Sequence, residues 1–420
     1  MVWVTTFLVI ILFCNCSKKS SPTEPSDNEW PPATEEVNGT LTEIEGISIL
    51  RIWGTPWEQG YAHGYLIAED IVTMLDNFIK RSVFGLNADT WENEVIPAIS
   101  RFNIEQRFDV ELQGMLAGIE ARAESEVNIP SLGRALQYKD LAAINIGPDF
   151  FGIQCSSFAG WGPIITDGNT ITGRNFDWQE VPGVFEKQFV IVYVSTAGSQ
   201  RFGFVTINWP GIIGCFTVMN SEGVTLNIND TNGYPPAQTS GFHPRILIYR
   251  EAIESAHAGI ALNDVENVLK ARITSTPQNL MITMPYSGDN QGSVVFEYDG
   301  NLTVDGGVTV REPDSTKFFQ ICTNHCRQRK QPTECWRFSL LSGQLESIAA
   351  SRGVEHLTQE KAWELLDNVA VNNPTHHRVV FEPNQKLVHV ALSVVNPAPQ
   401  CNAVTLNVSE LLKGTLNTFK

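Results

Sequence analysis

The sequence predicts an α+β fold in which β-sheets are stacked between layers of helix. Three observations carry this expectation. Residues 55–145 read as helical, the hydrophobic period changes near Cys155 to alternation and short β-rich runs, and helix spacing returns at Pro244–Ala271 and Thr358–Val371. With 420 residues, 42% of them hydrophobic, 10 Trp and 22 Phe, the chain is long enough to bury one large core.

The elements follow in chain order. Val2 to Phe13 is mostly apolar and ends at Cys14, Asn15 and Cys16, which is too short to span a bilayer as a mature helix. Residues 1–16 therefore read as an export signal. An apolar stretch closed by a cysteine, followed by Ser17, Lys18, Lys19 and an acidic Pro/Ser/Thr run, resembles a bacterial lipoprotein signal. Residues 17–40 are then a disordered tether and Cys16 the lipid-bearing residue of a membrane-anchored, exported protein. No Lys or Arg precedes the apolar stretch, so secretion without a lipid stays open. Residues 41–154 form a mainly helical segment, in which Ile67, Ile71, Leu75 and Ile79 recur every four residues as an amphipathic stripe. Residues 155–420 carry the strand-like runs Gln188–Ser195, Thr225–Asn229, Gly292–Tyr298, Arg378–Phe381 and Leu387–Val394. Residues 41–420 make one composite domain.

The chemistry concentrates at the change of period. Cys155 opens the run Cys155 to Gly162, an Asp167–Gly168 turn follows, and a return strand ends in Gly173, Arg174, Asn175, Phe176, Asp177 and Trp178. A thiolate attacks carbonyls well, but a free thiol is only a few per cent ionised near neutral pH unless a base or a positive charge assists it. Arg174 can supply the charge. A chain cut between Gln154 and Cys155 would add an α-amine of pKa roughly 7.7–8.0, suited to moving a proton at working pH. Asp177, acceptor-only when ionised, is the expected orienter of that amine and counter-charge to Arg174. A strict two-residue turn would place Cys155 opposite about residue 180, so Asp177 requires a bulge or a longer loop and Glu180 is its rival. Arg174 and Asp177, three apart on a strand, point to opposite faces.

The run Cys155, Ser156, Ser157, Phe158, then Asp167–Gly168, then Gly173 to Trp178 resembles the amino-terminal-nucleophile (Ntn) hydrolases of the isopenicillin N acyltransferase type. More distantly it is similar to choloylglycine hydrolases, acid ceramidases and phospholipase B-like proteins. The likeness covers about residues 44–412. It continues in Asn220 to Asn227, in Thr323, Asn324 and His325, in Arg337 ahead of a helix, and in His376 to Asn384. Upstream it includes Gly54 to Gly64 and Glu111 to Gly118. The resemblance implies an αββα sandwich of two stacked antiparallel sheets between helical layers, with a helical pro-segment. It also implies self-cleavage before Cys155, and a thioester formed on Cys155 from a linear acyl amide. Asn324 and Asn227 would hold the oxyanion, with Arg337 in a substrate or oxyanion role. No metal or organic cofactor is implied. Outside a cell, water is the expected acceptor, although transfer to an amine stays open.

Other readings of the same residues lead elsewhere. A non-catalytic surface lipoprotein that binds peptide or glycan on a degenerate form of the fold is the alternative. A Ser hydrolase is disfavoured by the lack of a Gly-x-Ser-x-Gly elbow. Cys322, Cys326 and Cys335 with His325 invite a zinc reading, but the spacing is not a standard ligand set. In an oxidising compartment a Cys326–Cys335 disulfide is the stronger expectation. His63 and His325 read as packing or capping residues, and Cys215 as a buried thiol. With 29 basic against 46 acidic residues, net charge −17, the composition argues against a nucleic-acid partner.

Overall fold

Strands buried on both faces need two covering layers, and most strands of this chain are of that kind. The computed structural model describes residues 36–80, 87–150, 152–196, 198–371, 375–393 and 398–413. The signal, Cys16 and most of the tether lie outside these residues. Numbered in chain order, the strands begin with β1 (Gly39–Ile44) and β2 (Ile47–Ile52), then a small hairpin of β3 (Asn128–Ile129) and β4 (Arg134–Ala135). Next come β5 (Gln154–Trp161), β6 (Thr170–Asp177), β7 (Phe189–Tyr193), β8 (Phe204–Asn208), β9 (Thr217–Asn220) and β10 (Thr225–Asp230). The rest are β11 (Gln278–Thr283), β12 (Ser293–Tyr298), β13 (Val308–Arg311), β14 (Phe319–Cys322), β15 (Thr375–Glu382), β16 (Leu387–Leu392) and β17 (Val404–Asn407).

Among the described residues two large sheets form, in the orders β1-β2-β7-β8-β9-β10-β11-β12-β13 and β14-β5-β6-β15-β16-β17. They stack face to face. Val190, Val192, Val205 and Ile207 of the first meet Val379, Phe381, Val388 and Val390 of the second in one apolar layer. The outer face of the larger sheet is covered by the helices Pro56–Leu66, Ala68–Lys80, Gln106–Ala123, Tyr138–Ile146, Arg245–Ser255 and Ala261–Ala271. The helices Trp336–Ala350 and Gln359–Asn368 cover the smaller sheet. This is the expected αββα sandwich, and the stripe Ile67, Ile71, Leu75 and Ile79 is buried in it.

Several boundaries differ from expectation. The segment 41–154 opens with strands, and β1 begins at Gly39, inside the expected tether, because β2 pairs with β7. That pair is parallel, so the larger sheet is not wholly antiparallel. The helical stretch 244–271 is broken at Ala256–Ile260, where Asp264 Oδ2 takes the His257 N–H at 2.9 Å.

Upstream of Cys155, the helices Pro56–Leu66 and Gln106–Ala123 cross through four glycines. A Cβ on Gly60 would stand 1.8 Å from the Glu111 carbonyl oxygen, one on Gly64 2.0 Å from that of Met115, and one on Gly118 2.1 Å from that of Tyr61. Gly114 faces the Trp57 carbonyl in the same way, at 2.4 Å. Backbone therefore packs on backbone, which explains the glycine spacing in both segments. Gly60→Ala should destabilise the fold by about 1–3 kcal/mol or more, read as a lower denaturation midpoint. Gly343→Ala, in a helix with open space around it, should leave the midpoint unchanged or raise it.

Candidate active site

The register of β5 on β6 builds the site. Gln154 lies opposite Asp177, Cys155 opposite Phe176, and Ser157 opposite Arg174. The connection is longer than a two-residue turn, because a 3₁₀ turn at Gly162–Ile164 intervenes. Asp177 is thus the last strand residue, and Glu180 lies exposed beyond the strand.

The two faces of this hairpin receive different chemistry. Cys155, Ser157, Arg174 and Phe176 face the other sheet, as the bond from Ser157 Oγ to Asn229 Oδ1 shows. Arg174 Nη2 donates to Cys155 Sγ at 3.2 Å, and its guanidinium carbon lies 5.2 Å from the centre of the Phe176 ring. Both Cys155 and Arg174 are fully buried. Burial pushes the Cys155 thiol up to about 11, against the pull of Arg174, and it lowers the Arg174 pKa from its ordinary value. In the continuous chain the thiol is therefore neutral near pH 7.

Ser156 and Asp177 point the opposite way, toward the helix Trp336–Ala350. Arg337, in its first turn, gathers the groups there. Its Nη1 donates to the Cys155 carbonyl at 2.8 Å and to Ser156 Oγ at 2.9 Å, and lies 3.6 Å from Asp177 Oδ2. Its Nη2 donates to Asn324 Oδ1 at 2.8 Å. Asp177 Oδ1 accepts from Thr375 Oγ1 at 2.6 Å. Burial raises the Asp177 carboxyl to about 6, although Thr375 and the nearby arginines oppose that. Asp177 faces Arg337 rather than acting as direct counter-charge to Arg174.

In the continuous chain the Cys155 amide nitrogen is held by Asn324. Its N–H donates to Asn324 Oδ1 at 2.9 Å, while Asn324 Nδ2 donates to the carbonyls of Ile153 at 3.0 Å and Asp230 at 2.8 Å. Asn324 thus holds the Cys155 nitrogen, and its own amide donor is already taken. Asn227, on β10, alternates with Leu226 and Ile228 of the helix-side core and so faces the smaller sheet. Both its amide atoms are buried without a hydrogen-bond partner among the described residues, as are Arg174 Nε and Nη1. Buried polar atoms left this way call for an explanation.

An apolar pocket of about 70 Å³ opens beside Phe176, the residue opposite Cys155. Phe176 and Ile153 share its wall with Trp91, Trp209, Phe216 and Phe78. His377 stacks on Phe176 at 4.8 Å and is tied to Thr217 and Gln188, each at 2.8 Å. Burial keeps His377 neutral by lowering its pKa. His63 Nε2 accepts from the Gly211 amide, and His325 Nδ1 meets Thr333 Oγ1, both in packing or turn roles.

Residues that sequence reasoning passed over include Thr375, Asn229, Asp230 and Arg245. Asn227, Asn229 and Asp230 crowd polar groups into a buried strand, a signal that could have found two of them. Arg245 carried none. Cys326 and Cys335 are not bridged: Cys326 Sγ accepts from Thr231 Oγ1 at 3.4 Å. The described residues contain no group of three or more His, Cys, Asp or Glu placed to share a metal ion. No helix among them is long and apolar enough to cross a membrane.

No family model matches the chain. It is similar to an uncharacterised protein of Archaeoglobus fulgidus, 22% identical over 295 residues, or 63% of this chain and 45% of that protein. Protein dcd1B of Dictyostelium discoideum is 21% identical over 414 residues, 92% of this chain and 76% of its own length. The match thus spans less than half of the archaeal relative. Among solved structures, a Caenorhabditis elegans N-acylethanolamine-hydrolyzing acid amidase ortholog aligns over 60% of this chain and 99% of its own at 15% identity, with a TM-score of 0.41. Penicillin V acylase from Agrobacterium tumefaciens aligns over 62% and 89% at 16% identity, with a TM-score of 0.42. At such scores the reading of the site rests on its own geometry.

Asp177 titrates at about 6 in the folded chain and near 3.9 unfolded, so between these values the folded state holds the extra proton. Its contribution to stability is full below about pH 4 and is lost as pH rises to about 6. In a Cys155→Ala background, Asp177→Asn should flatten that decline by on the order of 3 kcal/mol, measured by denaturant titration across pH 3–7. Asp149, also raised to about 6 by burial, keeps its own share of the slope.

Proposed function

We propose that this chain is a cysteine Ntn amidohydrolase that matures by cutting its own Gln154–Cys155 bond and then cleaves an acyl amide with an apolar acyl group. One observation supports this above all. The thiol, nitrogen and carbonyl of a single residue, Cys155, are each held by a separate polar side chain: Arg174, Asn324 and Arg337.

Maturation begins when Cys155 Sγ attacks the Gln154 carbonyl carbon. The C–N bond breaks as the thiol proton passes to the Cys155 nitrogen, leaving a thioester. Water hydrolyses that thioester to the Gln154 carboxylate, which restores the thiol beside a free α-amine. The amine then acts as the proton carrier. It takes the Sγ proton as sulfur attacks a substrate amide and returns it to the departing nitrogen. Arg174 favours the thiolate, and the unpartnered Asn227 amide is a donor for the oxyanion. The acyl group enters the apolar pocket beside Phe176, and water releases it. Acyl transfer to an amine differs only in this last acceptor. Export, with a lipid on Cys16, places the enzyme at a membrane surface.

Denaturing mass analysis of the purified chain should show a 266-residue fragment beginning at Cys155, since 420 − 154 = 266. Cys155→Ala should remain one chain and lose at least ~1000-fold in turnover of an apolar N-acyl amide. A wild-type chain that stays whole and inactive toward such amides would instead mark a binding protein.

A further inference from the structure

A buried arginine and a partly buried carboxylate outside the catalytic groups bear on the segment just before the nucleophile. Asp230, the last residue of β10, accepts the Ile153 N–H on Oδ2 at 2.6 Å. Its other oxygen, Oδ1, is paired with Arg245 Nη1. Arg245 is fully buried and is the first residue of the helix Arg245–Ser255, whose opening amide donates to Asp149 Oδ2 at 3.0 Å. The Ile153 carbonyl, on the other side of that residue, is held by Asn324 Nδ2. Asn324 also bonds the Asp230 carbonyl and the Cys155 N–H. Both backbone groups of Ile153 are therefore fixed, two residues ahead of the thiol, by side chains that belong to the downstream part of the chain.

An ion pair taken out of water is a costly way to hold one amide. A neutral asparagine or serine could accept the same N–H. What the pair adds is rigidity: with Oδ1 held by Arg245 and Oδ2 by the Ile153 amide, the carboxylate is fixed at both oxygens. Such rigidity matters where a reacting carbonyl must stay within attack distance of a nucleophile, and the Gln154 carbonyl stands directly between Ile153 and Cys155.

We infer that Asp230, locked by Arg245, is a positioning residue for self-cleavage, which grips the Ile153 amide so that the Gln154 carbonyl is presented to Cys155 Sγ. The inference rests on the proposed maturation. Asp230 does not bond the thiol, and it meets the wall residue Ile153 through that residue's backbone amide, so its task ends with the cut. Turnover by chains already cut does not depend on it.

The test follows the full-length chain after synthesis, scoring the appearance of the Cys155-started fragment by denaturing electrophoresis and mass. Asp230→Leu, which lacks any acceptor, should slow cutting by about 10- to 100-fold. Asp230→Asn, which keeps an acceptor for Ile153 but loses the charge pair, should recover part of that rate. Turnover of an apolar N-acyl amide, expressed per cut molecule, should equal wild type in both. Cutting at the wild-type rate in a folded Asp230→Leu chain would overturn the inference, as would a loss of turnover per cut molecule in step with the loss of cutting. Should Asp230→Leu fail to fold, Asp230→Asn decides: wild-type cutting overturns the inference, and slowed cutting with normal turnover per cut molecule supports it. A wild-type chain that never cuts overturns the maturation itself, a result distinct from all of these.

Discussion

The pairing of β5 with β6 is the constraint on which the site depends. Because Cys155 lies opposite Phe176, Arg174 falls on the thiol's side of the sheet and Asp177 on the other. Side chains in a strand alternate between faces, so a slip of one residue would exchange these positions. The register separates two tasks. The face between the sheets holds the sulfur and its cation, and the face under the helix Trp336–Ala350 holds the carboxylate and Arg337.

Burying this much charge is expensive, and the structure shows how the cost is met. Arg337 spends its donors on Cys155, Ser156 and Asn324 with Asp177 close by, so its charge is matched by hydrogen bonds on several sides. Arg174 is less well satisfied, with two of its nitrogens lacking partners among the described residues. That imbalance lies beside the Cys155 thiol, whereas Arg329 is fully bonded to Asp299 and to loop carbonyls. The contrast distinguishes an arginine that holds a loop from one whose bonded nitrogen faces a thiol.

Much of this could be read from the amino acids, for reasons that differ by residue. The hairpin from Cys155 to Asp177 was legible because its reactive side chains fall within one supersecondary unit. The stripe from Ile67 to Ile79 was legible because one side of its helix meets water. Strands β8, β9 and β11 were not picked out, since their Thr, Asn and Gln residues suggest exposure yet are buried. Asp230 and Arg245 escaped notice because their meaning comes from a meeting of distant segments at the turn before Cys155. The acceptor for the Cys155 amide N–H in the continuous chain was hidden for a similar reason. Asn324 was recognised as important, but only three-dimensional placement reveals which end of its amide faces which partner.

The β2–β7 pairing carries a consequence beyond the site. Strands β1 and β2, and the glycine-seamed helices, all precede Cys155, yet they supply an edge of the larger sheet and much of the core over it. A break in the backbone at Gln154 would not release them. The two polypeptides would persist as an obligate heterodimer whose interface is an ordinary protein interior, separable only by unfolding.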